Sequence, residues 1–72
     1  MLFDHSKLIG RIVEKYGTRA AFAEAMGYTN GQLSRRLNNQ TAFDTADIIK
    51  ALDLLDIAPE HIGVYFFAPE VR

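Results

Sequence analysis

The chain stops and restarts twice within a dozen residues. Gly17 is followed at once by Thr18, and Gly27 is followed two residues later by Thr29. Glycine just past a helix end supplies the left-handed closing residue, and threonine ahead of the next helix offers an oxygen to its open N–H groups. The spacing predicts one helix over Arg19–Met26 and another, capped by Thr29, running to about Asn38. Only Gly27-Tyr28-Thr29 lies between them. Gln32 follows Thr29 by three residues, the distance of a capping box that satisfies two free N–H groups. Helices this short form only when packed against neighbours.

The neighbours are legible on either side. From about residue 5 to Tyr16, the residues Leu8, Ile9, Ile12, Val13 and Tyr16 recur at helical spacing, with Asp4 as cap and Gly17 as stop. Gly10 interrupts this face, and a close helix crossing is one reason for a glycine there. After a polar loop at Asn38–Thr41, Asp44 or Thr45 caps a fourth helix through about Leu55, with Ile48, Leu52 and Leu55 aligned. Pro59 opens a fifth helix, to about Phe66. Residues 68–72 read as a frayed tail. Ile12, Phe22, Leu33, Leu37, Ile48, Leu52 and Ile62 are the expected core. Of the consecutive Tyr65, Phe66 and Phe67, at least one must be exposed or used in an interface. No strand, repeat or linker is visible, so residues 1–72 read as one all-α domain.

Composition excludes several classes. The 72 residues include no cysteine, so neither a disulfide nor a thiolate metal site is available. His5 and His61 stand far apart and read as surface histidines; no metal or cofactor is expected. No run approaches the roughly 18 apolar residues of a membrane span, and no signal peptide opens the chain. A cytoplasmic protein is the expectation. An enzyme is not: no nucleophile–base pairing or phosphate-binding glycine loop is present. A domain this small is marginal alone, which favours a homodimer, placed through the fourth and fifth helices.

The net charge of −1 conceals an asymmetry. Residues 1–43 carry six basic and three acidic side chains, a balance of +3, while residues 44–72 carry two and six, a balance of −4. One face for an anionic partner and one turned away from it would give this pattern.

The segment over residues 18–39 resembles the Cro and phage-repressor family of helix-turn-helix proteins. The resemblance rests on Thr18, the pair Phe22-Ala23, Met26-Gly27 at the turn, Thr29, the buried aliphatic Leu33, and Asn38-Asn39, met without insertion. More softly, the whole chain is similar to the short Cro-like regulators of temperate phages. The resemblance implies a five-helix domain of the lambda-repressor-like type, with helix 29–38 in the DNA major groove. Two positions depart from the family: Arg19 replaces a common glutamine, and Arg36 replaces a common apolar residue, with Leu37 following.

With roughly 100° per residue and Leu33 and Leu37 inward, Arg35 and Gly31 point outward, with Gln32, Ser34 and Asn38 on the flanks and Asn30 at the first turn. Arginine pairs with guanine, asparagine and glutamine with adenine, and serine with several base edges. Asn30, Gln32, Ser34 and Arg35 are therefore the candidate base readers. Arg19, Arg36, Asn38, Asn39, Gln40 and Thr41 are the candidate contacts to the DNA backbone. Gly31 would let the helix approach the groove closely. The leading expectation is a sequence-specific regulator that represses transcription by occupying an operator in double-stranded DNA. The competing one is a module on the same fold that binds a phage repressor, using its acidic C-terminal part against a basic partner. The weak overall charge favours the second.

Overall fold

The computed structural model describes residues 2–70. It is all-α: α1 (Ser6–Tyr16), α2 (Arg19–Met26), α3 (Asn30–Leu37), α4 (Thr45–Leu54), a 3-10 turn at Pro59–His61, and α5 (Ile62–Phe66). The caps of α2, α3 and α4 fall where the sequence puts them. Thr18 accepts from the Ala21 N–H and Asp44 from the Asp47 N–H, both at helix starts. Gly17 and Gly27 close α1 and α2 at φ 81° and 82°, which an L side chain adopts only with strain. The fifth helix is shorter than expected, because Pro59–His61 coils more tightly before α5 begins.

The α2 helix is the hub of the packing. It contacts α1, α3 and α4, while α1 also packs on α5. Phe22, Ala23 and Met26 are its buried edge, and they meet Leu8, Ile12, Leu33, Leu37, Ile48, Ala51, Leu52, Leu55, Ile57 and Phe66 in one cluster. Six of the seven expected core residues are buried, and Ile62 is partly buried against them. Phe67 is the exposed member of the aromatic triplet, and Phe66 the buried one.

Helix ends are sealed by side chains from other helices, as the open carbonyls of a last turn require. From α1, Arg11 donates through Nε to the Leu55 carbonyl (2.8 Å) and also pairs with Glu14. Lys15 pairs with Asp56 at 2.5 Å, and Lys50 donates to the Met26 carbonyl at the end of α2 (3.3 Å). Arg11 and Lys15 are two of the six basic side chains of residues 1–43.

Four local expectations need correction. Asp4 does not cap α1: its carboxylate accepts from the backbone N–H and hydroxyl of Ser6 (2.9 and 2.5 Å), one residue early, and His5 holds the cap position without a side-chain bond. His5 is not a surface residue. It is buried, with Nδ1 3.0 Å from the Leu37 carbonyl oxygen and its ring edge-on to Phe43. Val13 faces solvent, and Gly10 has open space where a Cβ would sit, so no close crossing explains it. Lastly, residues 68–70 are not frayed. Phe3 and Pro69 form an antiparallel bridge, with Asp4 N–H donating to Ala68 (2.8 Å) and Glu70 N–H to Leu2 (3.2 Å). The remainder of the expected tail, residues 71–72, lies outside the described residues.

Candidate interaction surface on the third helix

The α3 helix is held from inside by Leu33 and Leu37, 2% and 5% exposed. At its start the capping box is complete: the Thr29 hydroxyl accepts from the Gln32 N–H (3.1 Å), and the Gln32 side-chain carbonyl accepts from the Thr29 N–H (2.8 Å). At its end, the N–H groups of Gln40 and Thr41 both donate to the Arg35 carbonyl (2.8 and 3.2 Å), and the chain leaves through Asn39 at φ 65°. The helix is thus defined at both ends by its own sequence, and its outer face is fixed in orientation.

That face carries Asn30, Gly31, Ser34, Arg35 and Asn38, all exposed. Asn38 donates weakly to the Ser34 hydroxyl at 3.4 Å. A Cβ on Gly31 would come 3.4 Å from the Arg35 guanidinium, so the glycine leaves a channel along which Arg35 lies. Arg19 is exposed at the start of α2 and, like Arg35, has no ion pair among the described residues. Gln40 and Thr41 are exposed beyond the helix end. Asn30, Ser34, Arg35, Arg19, Asn38, Gln40 and Thr41 therefore keep side chains available to a partner.

Three members of the expected set do not. Gln32 is half-buried and its carbonyl serves the cap. Arg36 is turned inward: its guanidinium lies 4.4 Å from the centre of the Tyr28 ring, one nitrogen donates to the Gln32 carbonyl (3.0 Å), and its Nε is buried without a partner. Tyr28 in turn donates to Asp47 on α4 (2.5 Å). Desolvation, then this hydrogen bond, pushes the Tyr28 hydroxyl well above the ordinary phenol range. The cation, the ring and the carboxylate form one stack joining the α2–α3 turn to α4. Replacing an apolar residue by Arg36 was the sequence signal, because that position faces inward.

Asn39 departs furthest from expectation. Its amide clamps Phe3 on both sides: Oδ1 accepts from the Phe3 N–H (3.0 Å) and Nδ2 donates to the Phe3 carbonyl (2.9 Å). Both ends of the amide are engaged inside the fold, where they clamp the chain at Phe3. Local sequence gave no sign of this, since the two residues are 36 positions apart.

The outer face of α3 thus retains one cation, Arg35, and Arg19 stands exposed at the start of α2. For a surface meant to neutralise phosphates this is sparse in charge, since that neutralisation uses lysine or arginine.

The sequence matches the model of a family of proteins of unknown function, DUF739, over residues 1–69. No curated protein matches it. Among solved structures, the solution structure of the modulator of repression (MOR) of the temperate bacteriophage TP901-1 from Lactococcus lactis superposes with a TM-score of 0.83. The two are 39% identical, and the match covers 100% of this chain and 97% of that one.

Proposed function

The chain belongs to the DUF739 family of proteins of unknown function, and we propose that it is a regulator of phage repression that acts on a repressor's hold on its operator. The observation that carries this reading is the whole-length likeness, in both sequence and fold, to a modulator of repression from a temperate phage. The reading also fits the charge distribution. Three of the six basic side chains that make the first half positive, Arg11, Lys15 and Arg36, are engaged within the fold or in ion pairs. A protein of this kind needs contact with a repressor more than it needs a duplex of its own.

Direct reading of DNA by α3 is the second reading, and one observation favours it. Asn30, Ser34 and Arg35 stand exposed on a helix whose both ends are fixed, next to Gly31. Asn30, Ser34 and Arg35 would read base edges, with Arg19, Asn38, Gln40 and Thr41 on the phosphates.

Gel mobility shifts on the phage's own promoter region separate the two. The proposed function expects this chain alone to shift the DNA little, and to change the repressor's shift when both are present. A salt-sensitive shift by the chain alone, abolished by Arg35→Ala, with no effect on the repressor, would sink it.

A further inference from the structure

We propose that the outer side of α4 and the turn before α5 form a docking groove for a basic amphipathic helix of a partner protein. This deepens the proposed function by naming the surface and the chemistry of its partner, and it rests on that reading.

Ile49, Leu52, Asp53 and Asp56 recur at the spacing of one helical face along α4 and just past its end. Across from them run Ile57, Ala58, Pro59 and Ile62, and together the two walls line one open groove. Ile49 is 62% exposed, the highest value among the exposed large apolar residues. It has no role in the core, since α4 buries Ile48, Ala51 and Leu52 instead. An isoleucine this exposed, continuous with the apolar floor of a groove, is what a covered site leaves when its occupant is removed.

The rim identifies the occupant. Asp53 lines the groove, is exposed and carries no ion pair among the described residues. Asp56 is shared with Lys15. The other nearby cations are turned elsewhere: Lys50 to the Met26 carbonyl, Arg11 to the Leu55 carbonyl and Glu14. The groove is therefore apolar within and negative at its edges. Its complement is a helix with an aliphatic stripe flanked by arginine or lysine, the helix-in-groove mode of recognition. Helix walls offer no free strand edge, so an extended peptide gains no backbone pairing here. A second copy fits poorly. A twofold axis through the groove would bring the acidic lining residues Asp53 and Asp56 against their own images, and like charges placed together oppose association. Duplex DNA is repelled by the same rim.

The test uses the full chain, labelled with nitrogen-15, and three synthetic peptides of roughly 18 residues, about five helical turns. The first carries leucine on one face and arginine on its flanks, the second has glutamate for arginine, and the third is the first with its order scrambled. Amide shifts should move at Ile49, Leu52, Asp53, Ile57 and Ile62 with the first peptide only. Ile49→Glu should weaken that binding at least tenfold, and because Ile49 is exposed the variant keeps the wild-type fold, as its spectrum will report. Reversing the rim charge with Asp53→Arg should transfer preference to the glutamate peptide. Shifts confined to α3, equal binding of the first two peptides, or a dimer in sedimentation that Ile49→Glu dissociates would each overturn the groove assignment. The repressor gel shift is repeated with Ile49→Glu. If wild type and variant alter it equally, the groove fails and the proposed function stands. If the first peptide binds as described but wild type leaves the repressor unaffected, the proposed function fails and the groove stands.

Discussion

Replacing Asn39 decides between a fold role and a DNA role for a residue that looks, by type and place, like a contact to a partner. Its amide makes two hydrogen bonds to Phe3, each part-buried. At about 0.5–1.5 kcal/mol net for each bond, their loss costs about 1–3 kcal/mol. The backbone at φ 65° adds a second cost for alanine, about 1–2 kcal/mol, that glycine does not incur. Asn39→Ala should therefore lose about 2–5 kcal/mol and Asn39→Gly about 1–3 kcal/mol. A 72-residue domain has roughly 4–11 kcal/mol to lose, at 0.05–0.15 kcal/mol per residue. Urea unfolding followed by circular dichroism, with a slope of about 1 kcal/mol per molar, should show midpoints lower by about 2–5 M and about 1–3 M. Hydrogen exchange at the amides of Phe3 and Asp4 should rise in both variants, because the arm is released where the clamp held it. The reasoning is refuted if Asn39→Ala unfolds at the wild-type midpoint with Phe3 still protected. A folded Asn39→Ala whose only defect is tenfold weaker DNA binding would restore the residue to the contacts expected from sequence.

Other perturbations follow from the same geometry. Leu33→Ala should destabilise by about 2–5 kcal/mol, as a buried leucine truncation does, enough in a thermal melt to leave much of the chain unfolded. Arg36→Ala should lower the melting temperature by removing the stack on Tyr28, whereas Arg35→Ala should leave the stability within about 0.5 kcal/mol of wild type. In an alkaline titration followed by tyrosine absorbance, Tyr28→Phe should remove the step at highest pH. Folding holds the Tyr28 proton more tightly, so its contribution is present below about pH 10, the ordinary phenol value, and declines as pH rises past it. Lys15 holds the Asp56 carboxyl below its ordinary value. That depressed carboxyl favours the fold above the unfolded value of about 4 and ceases to as pH falls through the folded one. Asp56→Asn keeps a residue type that tolerates the left-handed backbone there, and should remove this acid-side dependence with little change at neutral pH.

What the sequence made legible was short in range. Thr18, Thr29, Gln32 and Asp44 act on N–H groups three residues away, so spacing alone placed them. Leu33 and Leu37 fixed the inward side of α3 by periodicity, and with it the exposure of Asn30, Ser34 and Arg35. What was not legible depends on closure of the whole chain. His5 meets Leu37 across 32 positions and Asn39 meets Phe3 across 36. Both residues are of types usually found in water, and nothing near them signals otherwise. Arg36 lay between these cases: its inward position was readable, but the stack with Tyr28 and Asp47 needed α4 in place. The basic character of the first half was misleading for the same reason, since Arg11 and Lys15 find their acceptors beyond residue 50.

The pairing of Phe3 with Pro69 has a mechanical meaning. Because Asn39 grips the same Phe3, three remote stretches of chain share one knot. Tension applied at residues 3 and 69 would open that knot first, one bond after another like a zipper, before any helix is pulled. Loosening it would release the Asn39 side chain at the exit of α3.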